Sequence, residues 1–430
     1  ASSLRRTLKV HKGIQAYAKQ IKEGKPIELM IANNHTVPIE VLSVGPETDG
    51  TEYTPLFDKE IILNGREYLR PVDYQLLKFG PLQGSESQIG QNLKLIARYR
   101  VLGAREVQVA EVFPYREFTE FSARRDTVRA KPNVDDFPFL VWNMREREIH
   151  FKAGRWQISR DLIIPKGQMV YVNEGTDLDL INSAMILSES PMFVVGSESR
   201  FVKIFSSDKT GQGVTLLNTT KDSFFKFVKF SGLSRPDMFG VGLSGSINFY
   251  QSPVHFFEAH FDGNIKGDDY LNIVRSDFSI NRSKVENSYS DAIDIDFSKG
   301  EIVNSVFLNC GFGDNNGDCI DLSGSVVEID NIIVDGAADK GISAGERTLL
   351  TINKGRISGA KFAIASKDIS KVMIESLTVL NSKVGLSVFQ KKREFGPAFM
   401  EVDGLEMDSV STPYAIENGS QLVVDSKIVQ

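Results

Sequence analysis

Asp291-Ala-Ile-Asp-Ile-Asp-Phe-Ser298 and Asp318-Cys-Ile-Asp-Leu-Ser-Gly-Ser325 are two versions of one phrase. Asp339-Lys-Gly-Ile-Ser-Ala-Gly-Glu346, Phe362-Ala-Ile-Ala-Ser-Lys-Asp368 and Val384-Gly-Leu-Ser-Val-Phe389 continue it, and Tyr270-Leu-Asn-Ile-Val274 precedes it. Anchored on Ile293, Ile320, Ile342, Ile364 and Leu386, the spacings are 27, 22, 22 and 22. A second alternating segment recurs at Ile302, Ile329, Ile352, Ile374 and Val402. A unit this short cannot bury its own apolar side, whereas stacked units bury a continuous core. The longer unit holds Gly311-Phe-Gly-Asp-Asn-Asn-Gly317, a turn-forming stretch that reads as a loop bulging from one coil. Leucine-rich repeats would add a Leu/Asn consensus and helical segments, and a β-propeller needs about twice this period. The pattern predicts an all-β chain built on a right-handed parallel β-helix over 147–430.

Toward the N-terminus the pattern changes. Ile27, Leu29 and Ile31 alternate with polar residues, and Pro38–Leu42 resumes after Asn33-Asn34. Leu93 to Val101, a Gly103-Ala104 turn and Val107-Gln108-Val109 read as a hairpin. Residues 26–115 are therefore predicted to form a small antiparallel β-domain, of sandwich type. Leu4, Leu8, Ile14, Tyr17 and Ile21 fall at helical spacing, which predicts an N-terminal helix over 1–25. Residues 116–146, charged in both signs and holding Pro132, read as a linker leading into the coils.

At 430 residues the chain is long enough for two or three domains unless it grows by repetition. With 41% hydrophobic and 25% charged residues it is not a disordered chain. Fifty Lys and Arg against 56 Asp and Glu give a net charge of −6, so no protein-wide basic field for nucleic acid exists. No apolar run reaches the ~20 residues of a membrane helix. The chain opens Ala1-Ser2-Ser3 rather than on Met, which leaves room for a preceding signal, anchor or domain. Cys310 and Cys319 cannot make a disulfide framework and are expected as two free thiols.

The repeats, with the lead-in Trp156-Gln-Ile-Ser-Arg-Asp-Leu-Ile-Ile-Pro165-Lys-Gly-Gln-Met-Val-Tyr-Val172 and Gly175-Thr-Asp-Leu-Asp-Leu180, resemble the right-handed parallel β-helix superfamily that includes pectate lyases, alginate lyases and epimerases. The N-terminal β-domain is similar to regions of bacterial spore-coat-kinase-like surface proteins, without any kinase motif. These resemblances imply a bacterial envelope or extracellular setting and a polysaccharide partner. The scaffold itself does not specify an activity.

Strand alternation turns Asp294 and Asp296 outward if Ile293 and Ile295 point in. Asn272, Asp294, Asp321 and Ser343 then form one outward column; Val274, Asp296, Ser323 and Gly345 form the next. Three readings of the carboxylates stand together: hydrogen-bonded polar surface, a Ca²⁺ site at Asp294, Asp296 and Asp321, or a catalytic acid/base pair. Cations gather on the following coils, with Lys340, Lys367, Lys391, Lys392 and Arg393 near Glu346 and Asp368. Polysaccharide lyases of similar fold hold an acidic sugar through Ca²⁺ and use a Lys or Arg as base. That resemblance makes Lys367 or Lys391 the candidate base, with Asn272, Asp321, Ser343, Glu346, Asp368 and Lys392 as candidate substrate contacts. No stretch matches a lyase motif residue for residue, and the epimerase Asp-Pro-His-Asp motif is absent.

Other motifs fall away. Gly341-Ile-Ser-Ala-Gly345 has the nucleophile-elbow spacing, but it lies inside the repeat and every His precedes it. His255 and His260, five apart in a strand, point to opposite faces and do not suit one metal. The aromatic run at 224–257 reads mainly as interior stacking, with any exposed subset open to sugar stacking. The expectation is binding, and lyase-type modification, of an envelope or extracellular polysaccharide. The alternative is a non-catalytic surface scaffold.

Overall fold

The computed structural model describes residues 13–18, 26–47, 54, 60–66, 73–81, 95–114, 130–237 and 243–429. The chain separates into two compact units, Ala1–Ala123 and Arg124–Gln430. No helix among the described residues is long and apolar enough to cross a membrane.

The first unit carries one seven-stranded sheet. Its order is Ile61–Leu63, Ile39–Pro46, Leu95–Val101, Gln108–Pro114, Ile14–Ala18, Pro26–Asn33 and Gln75–Pro81. Neighbours run antiparallel except Ile14–Ala18 against Gln108–Pro114. The described strands pair as one continuous, mostly antiparallel sheet, and their buried residues share one core. The Gly103 hairpin is present, while Leu93 lies outside the described residues. Within the predicted N-terminal helix, the described residues differ: Ile14–Ala18 is a strand in which Ile14, Ala16 and Ala18 are buried. A period of two with pairing partners on both sides outweighs the 3.6-residue reading of the same apolar residues. Residues 1–12 and 19–25, with Leu4, Leu8 and Ile21, lie outside the described residues.

The second unit is a right-handed parallel β-helix of about 11 turns. Its register matches the repeat: Ile293, Ile320, Ile342, Ile364 and Leu386 are successive partners, as are Ile302, Ile329, Ile352, Ile374 and Val402. All of these side chains are buried. Stacked coils still leave backbone N–H groups at the corners that must find acceptors. A hydroxyl ladder supplies them along one corner. The amides of Ser252, Ser276, Ser298, Ser325 and Thr348 donate to the side-chain oxygens of Ser276, Ser298, Ser325, Thr348 and Ser370, each one coil on.

Residues 133–143, within the stretch read from sequence as linker and entry segment, close the first coil. Val134, Phe137 and Phe139 bury against it, Phe139 stacks on Trp156, and Leu140–Asn143 makes an antiparallel hairpin with Glu148–Phe151. At the other end Gln421–Val424 folds back antiparallel on Lys427–Val429. Cys310 and Cys319 are joined in a disulfide, not free. The loop 311–317 leaves and re-enters the same corner, which brings the two Cα atoms to 5.2 Å, within bonding range.

Candidate functional site

The outward column exists in the register expected. Asn272 pairs with Asp294, Asp294 with Asp321 and Asp321 with Ser343, and Asp296 follows on the same side. The column is not an exposed flat face, however. Asn272 and Ser343 are buried, and Asn272 Nδ2 donates to Asp294 Oδ2 at 3.2 Å. Asp296, Asp321 and Glu346 remain half-buried, so a largely buried polar recess takes the place of an exposed platform.

Three aspartates that alternation did not select join it. In Asp291–Asp296 both Ala292 and Ile293 are buried, so the alternation slips by one and Asp291 returns to the side of Asp294. Cys319 and Ile320 repeat the slip after Asp318. Carboxylate oxygens of Asp291, Asp318 and Asp321 come within 4.8 Å of one another. Asp291 Oδ1 also accepts the Asp318 amide at 2.7 Å. Asp269, the third, pairs in register with Asp291 and is buried. Of the metal set read from sequence, Asp321 belongs to the converging trio, and Asp294 and Asp296 stand beside it. The sequence signal was there as Asp-x-x-Asp in both phrases.

Burial and mutual repulsion act together on these acids. Burial, then the charge of Asp318, pushes Asp291 up to about 9. Burial with neighbouring carboxylates takes Asp269 to about 7 and holds Asp294 well above the usual carboxylate range. Asp296 rises to about 6 through burial and then Asp321. Asp318 also rises to about 6 through burial, although Lys340 Nζ at 3.3 Å opposes the rise.

Lys367 is the cation that enters the recess. Ser323 and Gly345 precede it in its column, and Gly345 leaves the space that the lysine stem occupies. Lys367 is 5% exposed, and its Nζ stands 3.9 Å from Asp321 Oδ1. Burial, then the charges of Lys340 and Lys391, lowers its pKa against the pull of Asp321. Lys391 is exposed on the loop 390–396. Asp368 is buried, and its Oδ1 accepts the amides of Lys391 and Lys392 at 2.7 Å each, which anchors that loop. The Lys392 ammonium contacts the Glu346 carboxylate at the rim.

The aromatic residues divide between two places. Phe225, Phe230, Phe249, Phe256 and Phe261 fill the coils. On the outer side of a different sheet, His150, Tyr171, Phe193, Phe224 and His255 stack in sequence with centroids 4.8–5.6 Å apart. Stacking covers the ring faces and leaves edges to solvent, so the inner rings of this ladder are not a sugar-stacking platform. No protein-family model matches the chain, and no curated protein matches it either.

Proposed function

We propose that the β-helix binds an acidic polysaccharide in this recess and cleaves it by elimination, with Lys367 as base. The observation that carries the reading is the buried Lys367 ammonium 3.9 Å from Asp321, in the same recess as three converging carboxylates. The donor set suits a hard divalent cation such as Ca²⁺: the oxygens are all carboxylate, and Asp321 Oδ1 and Asp269 Oδ2 are buried without a hydrogen-bond partner. Asp291, Asp318 and Asp321 would hold it, with Asp294 adjacent. When bound, the cation neutralises a substrate carboxylate and so acidifies the carbon–hydrogen bond next to it.

Lys367 in its neutral form takes that proton, and its lowered pKa raises the neutral fraction near pH 7. The electron pair forms a carbon–carbon double bond, the glycosidic carbon–oxygen bond breaks, and the departing oxygen takes a proton from solvent. Lys392 and Glu346 border the opening and Asp368 fixes the loop that carries Lys392. The disulfide supports an extracellular or envelope setting, where thiols oxidise.

The second reading is a non-catalytic surface scaffold, favoured by the burial of Ser343 and Asn272 and by the loop-anchoring role of Asp368. Incubating the chain with alginate, pectate and glycosaminoglycans, with and without Ca²⁺, separates the two. Proton NMR and ultraviolet absorbance follow the new ring double bond. A calcium-dependent signal lost in Lys367→Met supports elimination; silence across the panel, without binding, supports the scaffold.

A further inference from the structure

A cavity of about 610 Å³ opens on another sheet of the β-helix, and no residue of the carboxylate recess lines it. Parallel register places Arg155, Asp177, Lys203, Lys229, His260 and Lys284 in one outward line. Successive members are one coil apart, ~4.8 Å. Like charges so placed repel unless an opposite charge intervenes. Lys229 has Asp262 at 2.9 Å and Lys284 has Glu286 at 2.7 Å. Lys203 and Arg155 reach only longer pairs, with Asp177 at 3.8 Å and Asp179 at 3.9 Å. Arg200, which also lines the cavity, has no ion-pair partner among the described residues.

Each of the two guanidinium groups lies against a neighbouring surface. Reciprocal backbone bonds of 3.0 Å between Ser197 and Arg200 close a turn. The Arg200 guanidinium then lies over Gly175, where a Cβ would come within 2.8 Å of it. Arg155 sits 5.2 Å from the centre of the Phe205 ring. Guanidinium groups bind carboxylate and sulfate through paired hydrogen bonds.

We propose that this line is a second binding track, for an acidic polysaccharide whose charged groups engage Arg155, Arg200 and Lys203 as the chain runs along the coil axis. Cations recurring one or two coils apart, with Asp177 between Arg155 and Lys203, suit an extended polymer carrying charges at several points better than a single small anion. Single-stranded nucleic acid would need free aromatic faces for its bases. The cavity offers Phe201 alone, already packed against His260 and Phe227. The track does not rest on the reading of the recess.

His260 reports on the line. Burial, Lys229 and Lys284 lower its pKa, while Glu258 and Glu286 oppose the lowering, so an anion bound along the lysines raises it. The test is an NMR titration of the His260 imidazole in the whole chain, alone and with oligogalacturonate, a sulfated heparin oligosaccharide, neutral dextran or a single-stranded oligonucleotide. The expected result is a saturable upward shift with an acidic saccharide and none with dextran. Arg200→Ala and Lys203→Ala each weaken binding roughly tenfold, and Lys371→Ala, exposed on a distant strand, leaves it unchanged. No shift with either saccharide, a shift indifferent to Arg200→Ala and Lys203→Ala, or tighter binding of the oligonucleotide overturns the proposal. Both side chains are exposed, so the variants keep the fold, which the unliganded spectrum verifies.

Discussion

Lys367 reaches the carboxylates because Gly345 has no side chain. A Cβ at Gly345 would sit 3.3 Å from Lys367 Cε, and the stem runs over the glycine to end 3.9 Å from Asp321. The backbone of Gly345 is not in the left-handed region, so a larger residue meets only the lysine stem and its surroundings. Gly345→Val is therefore expected to displace Lys367 at a stability cost of roughly 1–3 kcal/mol. If Lys367 is the base, elimination falls in Gly345→Val and falls about a hundredfold or more in Lys367→Met. Rates on polyuronate beside chemical denaturation separate the two effects; full activity in both variants removes Lys367 from the mechanism.

The hydroxyl ladder makes a separate prediction about stability. Ser298→Ala leaves the buried amide of Ser276 without its acceptor, at a cost of about 1–3 kcal/mol. Ser298→Thr keeps the oxygen, as Thr348 does at the same corner, and should lose much less. Urea unfolding of both variants measures the difference, and equal losses would show that the ladder is incidental.

The repeat was legible because inward isoleucines recur at a fixed distance and parallel pairing keeps that register from Ile293 to Leu386. The Asp294–Asp321 pairing followed from the same register. Asp291 and Asp318 were missed because a strict period of two places them opposite Asp294 and Asp321, and only the local slip at Ala292 and Cys319 brings them round. The burial of Ser343 and Asn272 was also hidden, since it depends on neighbours in other coils. Ile14 and Tyr17 misled for the converse reason: few apolar residues fit two periods, and pairing partners distant in sequence decide between them.

The disulfide closes a short loop beside Asp318, and its removal acts on the unfolded chain as well as on that loop. For a loop of this length the chain-entropy estimate is roughly 2–3 kcal/mol. Replacing both Cys310 and Cys319 by Ala should lower stability by that order, and reduction of the native chain should match it. Thermal unfolding with and without reductant checks the match. No change on reduction would mean that packing at the buried corner, not the covalent link, holds the loop.

The carboxylate recess predicts how stability depends on pH. An aspartate in the unfolded chain titrates near ~3.9. In the fold Asp296 and Asp318 titrate at about 6, Asp269 at about 7 and Asp291 at about 9. Raised values mean that the folded chain binds more protons than the unfolded chain between about pH 4 and 9, so stability falls with rising pH across that window. Their favourable contribution is complete below about pH 4 and is lost as each group ionises. A divalent cation held by Asp291, Asp318 and Asp321 reverses the sign, because it favours the ionised carboxylates. Unfolding curves from pH 5 to 9 in chelator should therefore decline, and added Ca²⁺ should restore stability most at the alkaline end. Asp291→Asn should flatten the decline and blunt the calcium effect together. A decline without any response to Ca²⁺ would leave the acids as buried, protonated parts of the scaffold and remove the cation from the proposed reaction.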